Sequence, residues 1–348
     1  MNFLVTGARG FVGRGLLDVL AASGHCGVGT SRAAWAAPHP PPPVGWHGAT
    51  RADVLMGLHD AADTDAIVHL EVKQHTPRPT PDDIDEFDRV NVGGTREWLD
   101  WAARHGVQRF VFVSSIKAVA LGTGSQFEHA LLNPDTPYGR SKAVAEKAVR
   151  AWANEDPRRM AVILRPAPVY GPGNEANLAA FVRQILAGKP CLVGQGLTQK
   201  SIVSRGNLAA AIALTATHAV AGCEVFNVSD RETLSLGQLA ALIAELGNAP
   251  KPKRIPTWLA QWIAPLGDMI GLIARRDFPL TTARLKAIDE TSIFPCDKLV
   301  AAGFRHPQTT REGLEEMLAW LHGEGAAGDY LNGLPSVGPT GRHDSMTP

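Results

Sequence analysis

Short apolar runs of strand type alternate with segments of helical spacing along most of the chain. Phe3-Leu4-Val5-Thr6 is the first run, and Gly15-Leu16-Leu17-Asp18-Val19-Leu20 follows it with helical periodicity. Gly27-Val28-Gly29-Thr30 reads as a second strand. Ala66-Ile67-Val68-His69-Leu70, Phe110-Val111-Phe112-Val113 and Ala161-Val162-Ile163-Leu164 read as further buried strands. Helical patterns such as Thr95 to His105 and Lys142 to Ala153 lie between them. Apolar runs interleaved with helices predict an α/β fold, a doubly wound parallel sheet covered on both faces. Ser235-Leu236-Gly237-Gln238 has capping-box spacing ahead of an apolar helix from Leu239 to Leu246. Residues Ala37 to Val44 include five prolines and predict a surface loop. From Gly323 onward Gly, Pro, Ser and Thr predominate, so residues 323–348 are expected to be a disordered tail.

Between the first strand and its helix lies Gly7-Ala8-Arg9-Gly10-Phe11-Val12-Gly13. Strand, glycine turn and helix is an arrangement that holds a dinucleotide pyrophosphate. Gly7 permits the turn, Gly10 lets the backbone approach phosphate, and Gly13 lets the helix pack close to the strand. A purely structural turn would use the same residues, but this placement favours a cofactor. The spacing is G-x-x-G-x-x-G with no Gly-Lys-Ser/Thr after it, which disfavours a nucleotide-hydrolysing P-loop. The second strand ends at Ser31-Arg32, with no carboxylate for an adenosine ribose. Ser31 and Arg32 could hold a 2′-phosphate, or Arg32 could be a solvated surface residue, so NAD and NADP both remain open.

Composition narrows the class. The 348 residues are 45% hydrophobic, enough for one large α/β domain or a major and a minor lobe. Lys+Arg and Asp+Glu both number 34, and without a long basic run no nucleic-acid partner is expected. Cys26, Cys191, Cys223 and Cys296 are far apart and lack metal-ligand spacing, so buried free thiols and no metal are expected. No signal peptide precedes the first strand, and the chain reads as cytoplasmic. Ile255 to Ile273 is apolar but broken by Pro256, Gln261, Pro265 and Asp268, so no transmembrane helix is expected. A helix lining a substrate lobe is the first expectation there, and a membrane-surface contact is the alternative.

The chemistry-bearing residues lie further on. Ser114-Ser115 stand at the C-terminal end of a strand, where open parallel sheets bind ligands. Tyr138 and Lys142 are four residues apart, so one helix presents both on one face. A phenol of pKa near ~10 is a poor base at neutral pH, and a nearby ammonium stabilises its phenolate. With Ser115 on the same substrate oxygen, the three can move a proton on or off a carbinol while hydride passes to or from nicotinamide. Tyr-x-x-x-Lys alone arises by chance on many helices; its order after the glycine turn and the serine-ended strand makes it specific.

With these residues in hand, the chain resembles the extended short-chain dehydrogenase/reductase family, especially its nucleotide-sugar epimerase/dehydratase branch. The resemblance runs from about Phe3 to Leu321. It is carried by the glycine turn, Asp53-Val54, Ile67 to Leu70, Asn91-Val92-Gly93-Gly94-Thr95, Phe110 to Lys117, Pro137 to Lys142, Leu164 to Gly173, and Phe226 to Asp230. It implies a Rossmann-type domain over 1–165, to which later segments return, and a smaller, mainly substrate-binding lobe over 166–322. It also implies that Gly7, Gly10, Phe11 and Val12 cradle the pyrophosphate, that Asp53 and Val54 meet adenine, and that Leu70 lies at the cofactor edge. Lys142 would bind the nicotinamide ribose, Pro166 would contact the nicotinamide, and Asn177 and Lys200 would hold the sugar's nucleotide diphosphate.

Departures from the family pattern are Glu71-Val72 for a small pair, Lys200 for Arg, Ser204 to Asn207, and Ala118-Val119-Ala120. Relatives that dehydrate sugars carry an Asp-Glu pair where this chain has Ile116 and Lys117, so dehydration is disfavoured. The expected activity is NAD(P)-dependent 4-epimerisation of a UDP-hexose or UDP-N-acetylhexosamine. A 4-keto-sugar reductase or another alcohol dehydrogenase would use the same three residues. A non-catalytic nucleotide sensor is the alternative from another class. The resemblance leaves a homodimer open.

Overall fold

Seven parallel strands form the central sheet. They are β1 (Asn2–Thr6), β2 (Cys26–Ser31), β3 (Trp46–Thr50), β4 (Ala66–His69), β5 (Arg109–Val113), β6 (Met160–Pro166) and β10 (Cys223–Val228). Their order across the sheet is β3-β2-β1-β4-β5-β6-β10. Two short parallel pairs stand apart from it, β7 (Val169–Tyr170) with β9 (Val203–Ser204) and β8 (Pro190–Val193) with β11 (Lys253–Ile255). The computed structural model describes the chain except residues 34, 36–40, 62, 77–78, 120–123, 175–176, 219–220, 275–280, 283–284, 286–289 and 324–348. The expected tail beyond Gly323 and residues 37–40 of the proline loop lie outside the described residues. Strand order reverses between β1 and β4, and crevices at such a reversal are where open α/β sheets bind ligands.

Alternation along each strand divides two cores. Phe3, Val5, Val68, Val111 and Leu164 pack on one face with α1 (Phe11–Ala22) and α7 (Arg205–Thr217), through Leu16, Leu20, Leu208 and Ile212. Leu4, Ile67, Phe110, Phe112 and Ile163 face the other way, against α4 (Gly94–Arg104) and α5 (Pro137–Asn154), through Trp98, Leu99, Val149 and Trp152. Both faces are therefore apolar, which is why the strands read as continuous hydrophobic runs. β3 was not legible as a strand: of its five residues only Trp46 and Ala49 are buried, and it pairs with β2 alone at the sheet edge.

A third core joins α6 (Asn177–Leu186), α8 (Leu236–Leu246) and the helix Thr310–Leu321 through Val182, Ile185, Leu239, Ile243, Leu314 and Met317. The predicted capping box at α8 is present, with Ser235 Oγ accepting the Gln238 N–H and Gln238 Oε1 accepting the Ser235 N–H. Helix α9 (Thr257–Ala274) forms where the apolar stretch predicted one. Ala260, Ala264 and the partly buried Ile263 pack inward with Val193 and Leu285, while Trp258 and Trp262 face out.

Candidate active site

Helix α1 begins directly after the glycine turn. Gly10 caps it without a side-chain hydrogen bond, and its first turn carries no acidic residue, so its leading N–H groups suit an anion. Gly7 turns at φ +67°, and a Cβ on Gly13 would lie 2.5 Å from the Gly7 carbonyl oxygen. Only glycine lets the helix sit this close. A cavity of about 470 Å³ opens beside the turn, lined by Gly7, Gly10, Phe11, Val12, Ser31, Arg32 and Leu70, seven of the predicted cofactor residues. Arg9, Thr30, Arg51, Glu71 and Gln74 also line it. Thr30 Oγ1 is buried with no hydrogen-bond partner among the described residues, and could bond a polar ligand. Cradle, helix terminus and cationic rim together fit a dinucleotide.

Four predicted cofactor residues do not line this cavity: Lys142 and Pro166, described below, and Asp53 and Val54. Val54 is buried in the core with Leu4 and Val28, and Asp53 sits in the first turn of α2 (Arg51–Leu55), where Thr50 Oγ1 accepts its N–H. Glu71, a departure from the family pattern, accepts from Arg51 Nε and Trp98 Nε1, both at 3.1 Å. Leu70 and Glu71 also donate their N–H groups to Thr6 Oγ1, which fixes the cavity wall to β1.

The proposed acid–base group assembles at the end of β5. Ser115 caps the 3₁₀ turn Ile116–Ala118, accepting the Lys117 N–H at 3.2 Å. Thr136 caps α5 and Pro137 occupies its first turn, so the helix begins early enough to include Tyr138. A Cβ on Gly139 would lie 2.1 Å from the Lys117 carbonyl oxygen, so this glycine lets α5 press onto the serine turn. The Tyr138 phenol is thereby brought beside the Ser115 hydroxyl. His75 and Phe87, the latter ending α3 (Pro81–Phe87), meet the Tyr138 ring edge-on, with centroids 5.8 and 6.0 Å away. Since Gln74 lines the cavity, its wall leads by one residue to this ring. Asn91 ties the same wall to α5: it accepts the Lys73 N–H at 2.8 Å and donates to Ser141 Oγ at 2.9 Å.

Lys142 is buried one turn further along. Its Nζ donates to the Val113 carbonyl at 2.9 Å and lies 4.7 Å from the Phe112 ring centre. Burial lowers its pKa to about 7, against a rise from the nearby Glu146 carboxylate. Burial raises Tyr138 to about 12, partly offset by the nearby Ser115 hydroxyl. The phenol is thus protonated at rest, and positive charge brought beside it lowers its proton affinity.

Three further residues carry this site, none of which the sequence reading assigned a role. Glu146 and Arg165 form a buried ion pair, and Ser114 Oγ donates to Glu146 Oε1 at 2.6 Å. Consecutive residues of an extended backbone point opposite ways, so Ser114 turns to Glu146 while Ser115 turns to Tyr138. The signal was available for Glu146, which continues the four-residue spacing of Tyr138 and Lys142.

The remaining predicted residues are spread around this end of the sheet. Pro166 is buried at the end of β6, in register with Val228. Asn177 opens α6, and its side chain lies outside the described residues. Lys200 Nζ donates to the Glu290 carbonyl at 2.7 Å. Burial and the charge of Lys117 lower the pKa of both Lys200 and His75. Lys117, which follows the serine turn, therefore adds a cation near Lys200 and His75. No His/Cys/Asp/Glu cluster able to hold a metal occurs among the described residues. Cys296 is buried, Cys26 and Cys223 are half-buried, and the side chain of Cys191 lies outside the described residues.

Residues 3–229 match the NAD dependent epimerase/dehydratase family. Over 327 residues the chain is 29% identical to N-acetyl-alpha-D-glucosaminyl-diphospho-ditrans,octacis-undecaprenol 4-epimerase of Escherichia coli O157:H7, covering 92% of this chain and 95% of that protein. It is 31% identical over 264 residues to UDP-glucose 4-epimerase of Vibrio cholerae, covering 73% and 76% respectively. The structure of Thermus thermophilus UDP-glucose 4-epimerase complexed with NAD superposes with a TM-score of 0.70 at 21% identity, over 94% of this chain and 100% of that one. This last likeness is one of fold.

Proposed function

The chain belongs to the NAD-dependent epimerase/dehydratase family, and we propose that it is a 4-epimerase acting on a UDP-hexose or UDP-N-acetylhexosamine in the cytoplasm. The observation that carries this reading is the placement of the Tyr138 phenol beside the Ser115 hydroxyl, on a helix that also buries Lys142. In this reading residues 1–165, with α7 and β10 returning to them, hold the cofactor, and residues 166–322 mainly hold the substrate.

NAD, bound along the glycine turn, supplies hydride uptake from the sugar carbon and return to it. Tyr138 takes the proton of the C4 hydroxyl during oxidation and gives it back after the keto sugar has turned in the site. Ser115 holds the same oxygen in both directions. Positive charge on Lys142 brings the phenol down from its resting value of about 12. Lys117 and Lys200, with Asn177, would meet the diphosphate, and Pro166 would face the nicotinamide. Elimination of water has no carboxylate at Ile116 or Lys117 to serve it.

A second form of substrate has its own observation behind it. The Escherichia coli relative is named for a diphospho-sugar on undecaprenol, and α9 turns large apolar side chains outward. The same chemistry at C4 would serve a lipid-linked sugar diphosphate.

The test is incubation with UDP-hexoses or UDP-N-acetylhexosamines, and separately with a polyprenyl diphosphate sugar, without added reductant, followed by NMR. Interconversion of C4 epimers with no net change in nicotinamide absorbance is expected. Stoichiometric oxidation of reduced cofactor with a keto sugar, and no interconversion, would make the protein a reductase.

A further inference from the structure

Helix α9 is built inside out. Among the described residues its buried positions are small, Ala260, Ala264 and Gly267, with Ile263 partly buried, while Trp258, Trp262, Leu266, Met269 and Ile270 are 63%, 75%, 53%, 52% and 40% exposed. At 3.6 residues per turn, Trp258, Met269, Trp262 and Leu266 fall within about 80° of one another, with Ile270 about 40° beyond. Scattered exposed hydrophobics are ordinary, but one continuous stripe of large side chains on one helix marks a contact surface.

The occupant follows from the chemistry around the stripe. Lys251, Lys253 and Arg254 are exposed just before the helix. Asp268 is the one acidic residue of α9, and it accepts the Thr282 N–H at 3.2 Å. Basic residues next to a tryptophan-bearing apolar face match anionic headgroups over acyl chains. Tryptophan suits that boundary, where one side of the ring is apolar and the other wet. A second copy of the chain fits less well. A stable dimer buries about 20–30 residues per side, and the stripe offers five large residues from one helix. Spanning is also excluded among the described residues, since no helix is long and apolar enough to cross a membrane.

We propose that α9 is a membrane-surface docking helix, lying along an anionic bilayer with Trp258, Trp262, Leu266 and Met269 in the headgroup–acyl boundary and Lys251, Lys253 and Arg254 on the phosphates. The surface stands independently of which sugar the site takes. The full chain is sedimented with vesicles of phosphatidylcholine and with vesicles of phosphatidylcholine mixed with phosphatidylglycerol. Binding to the anionic vesicles, weakened by added salt, is expected. The double variant Trp258→Gln/Trp262→Gln should lower partition at least about tenfold. Quenching of tryptophan fluorescence by brominated lipids should fall with it. Both side chains are largely exposed, so the variant keeps its fold, which circular dichroism checks. Absence of binding to either vesicle would overturn the proposal, as would equal binding by the variant. A wild-type dimer that the double variant dissociates, measured by light scattering, would assign the stripe to a second copy and also overturn it.

Discussion

Glu146 and Arg165 form a two-point ion pair, Nε to Oε1 at 2.9 Å and Nη2 to Oε2 at 2.7 Å, with both side chains sealed from solvent. Arg165 Nη1 also holds the Glu128 carbonyl at 3.0 Å, so one guanidinium joins β6 to the loop before α5. Such a pair adds little net stability over an apolar one, but losing one partner strands a buried charge. Glu146→Gln should therefore destabilise the fold by ~3–5 kcal/mol in urea unfolding, and Glu146→Leu with Arg165→Met should recover most of that. A single-variant loss under about 1 kcal/mol would mean that solvent reaches the pair.

Lys142 makes stability depend on pH in a definite direction. Its folded pKa of about 7 lies below its ordinary value of 10.5. Between these values the unfolded chain keeps a proton that the folded chain releases, so the contribution of Lys142 to stability falls as pH drops through that window. The stability of the wild type minus that of Lys142→Met should rise by about 1.4 kcal/mol per pH unit between about pH 7.5 and 9.5. A flat difference would show that Lys142 stays charged when buried.

Tyr138→Phe keeps the ring against His75 and Phe87 and removes the proton carrier. Turnover of any accepted sugar should drop at least about a hundredfold with the melting temperature little changed. Near-normal rates would remove Tyr138 from the mechanism.

Gly139→Ala brings a Cβ to within 2.1 Å of the Lys117 carbonyl oxygen, and one of the two backbones must move. A stability loss of ~1–3 kcal/mol is expected, together with weakened turnover as Tyr138 draws away from Ser115. Wild-type kinetics in this variant would show that the contact between α5 and the serine turn does not set the site.

Arg32 lines the cavity and is exposed. Arg32→Ala should weaken NADP by ~1.5 kcal/mol, a low figure for a charge-assisted bond because solvent screens it, and leave NAD nearly unchanged. Isothermal titration with each cofactor decides it. Equal weakening of both would make Arg32 a general adenosine contact.

The parallel sheet, the glycine turn and the order of Ser115, Tyr138 and Lys142 were legible from the amino-acid sequence. Each of these is written in local chemistry: apolar runs buried on both faces, glycines where a side chain would collide, and a four-residue spacing along one helix. Whatever depends on a partner distant in the chain had to wait for tertiary packing. Val54 faces the core and not the cavity because Leu4 and Val28 meet it there. Glu146 is a buried anion because β6 places Arg165 against α5. Periodicity tells which residues share a face, but not which face finds a neighbour. In α9, apolar on nearly every side, Val193 and Leu285 meet the alanines, and the tryptophans are left outside.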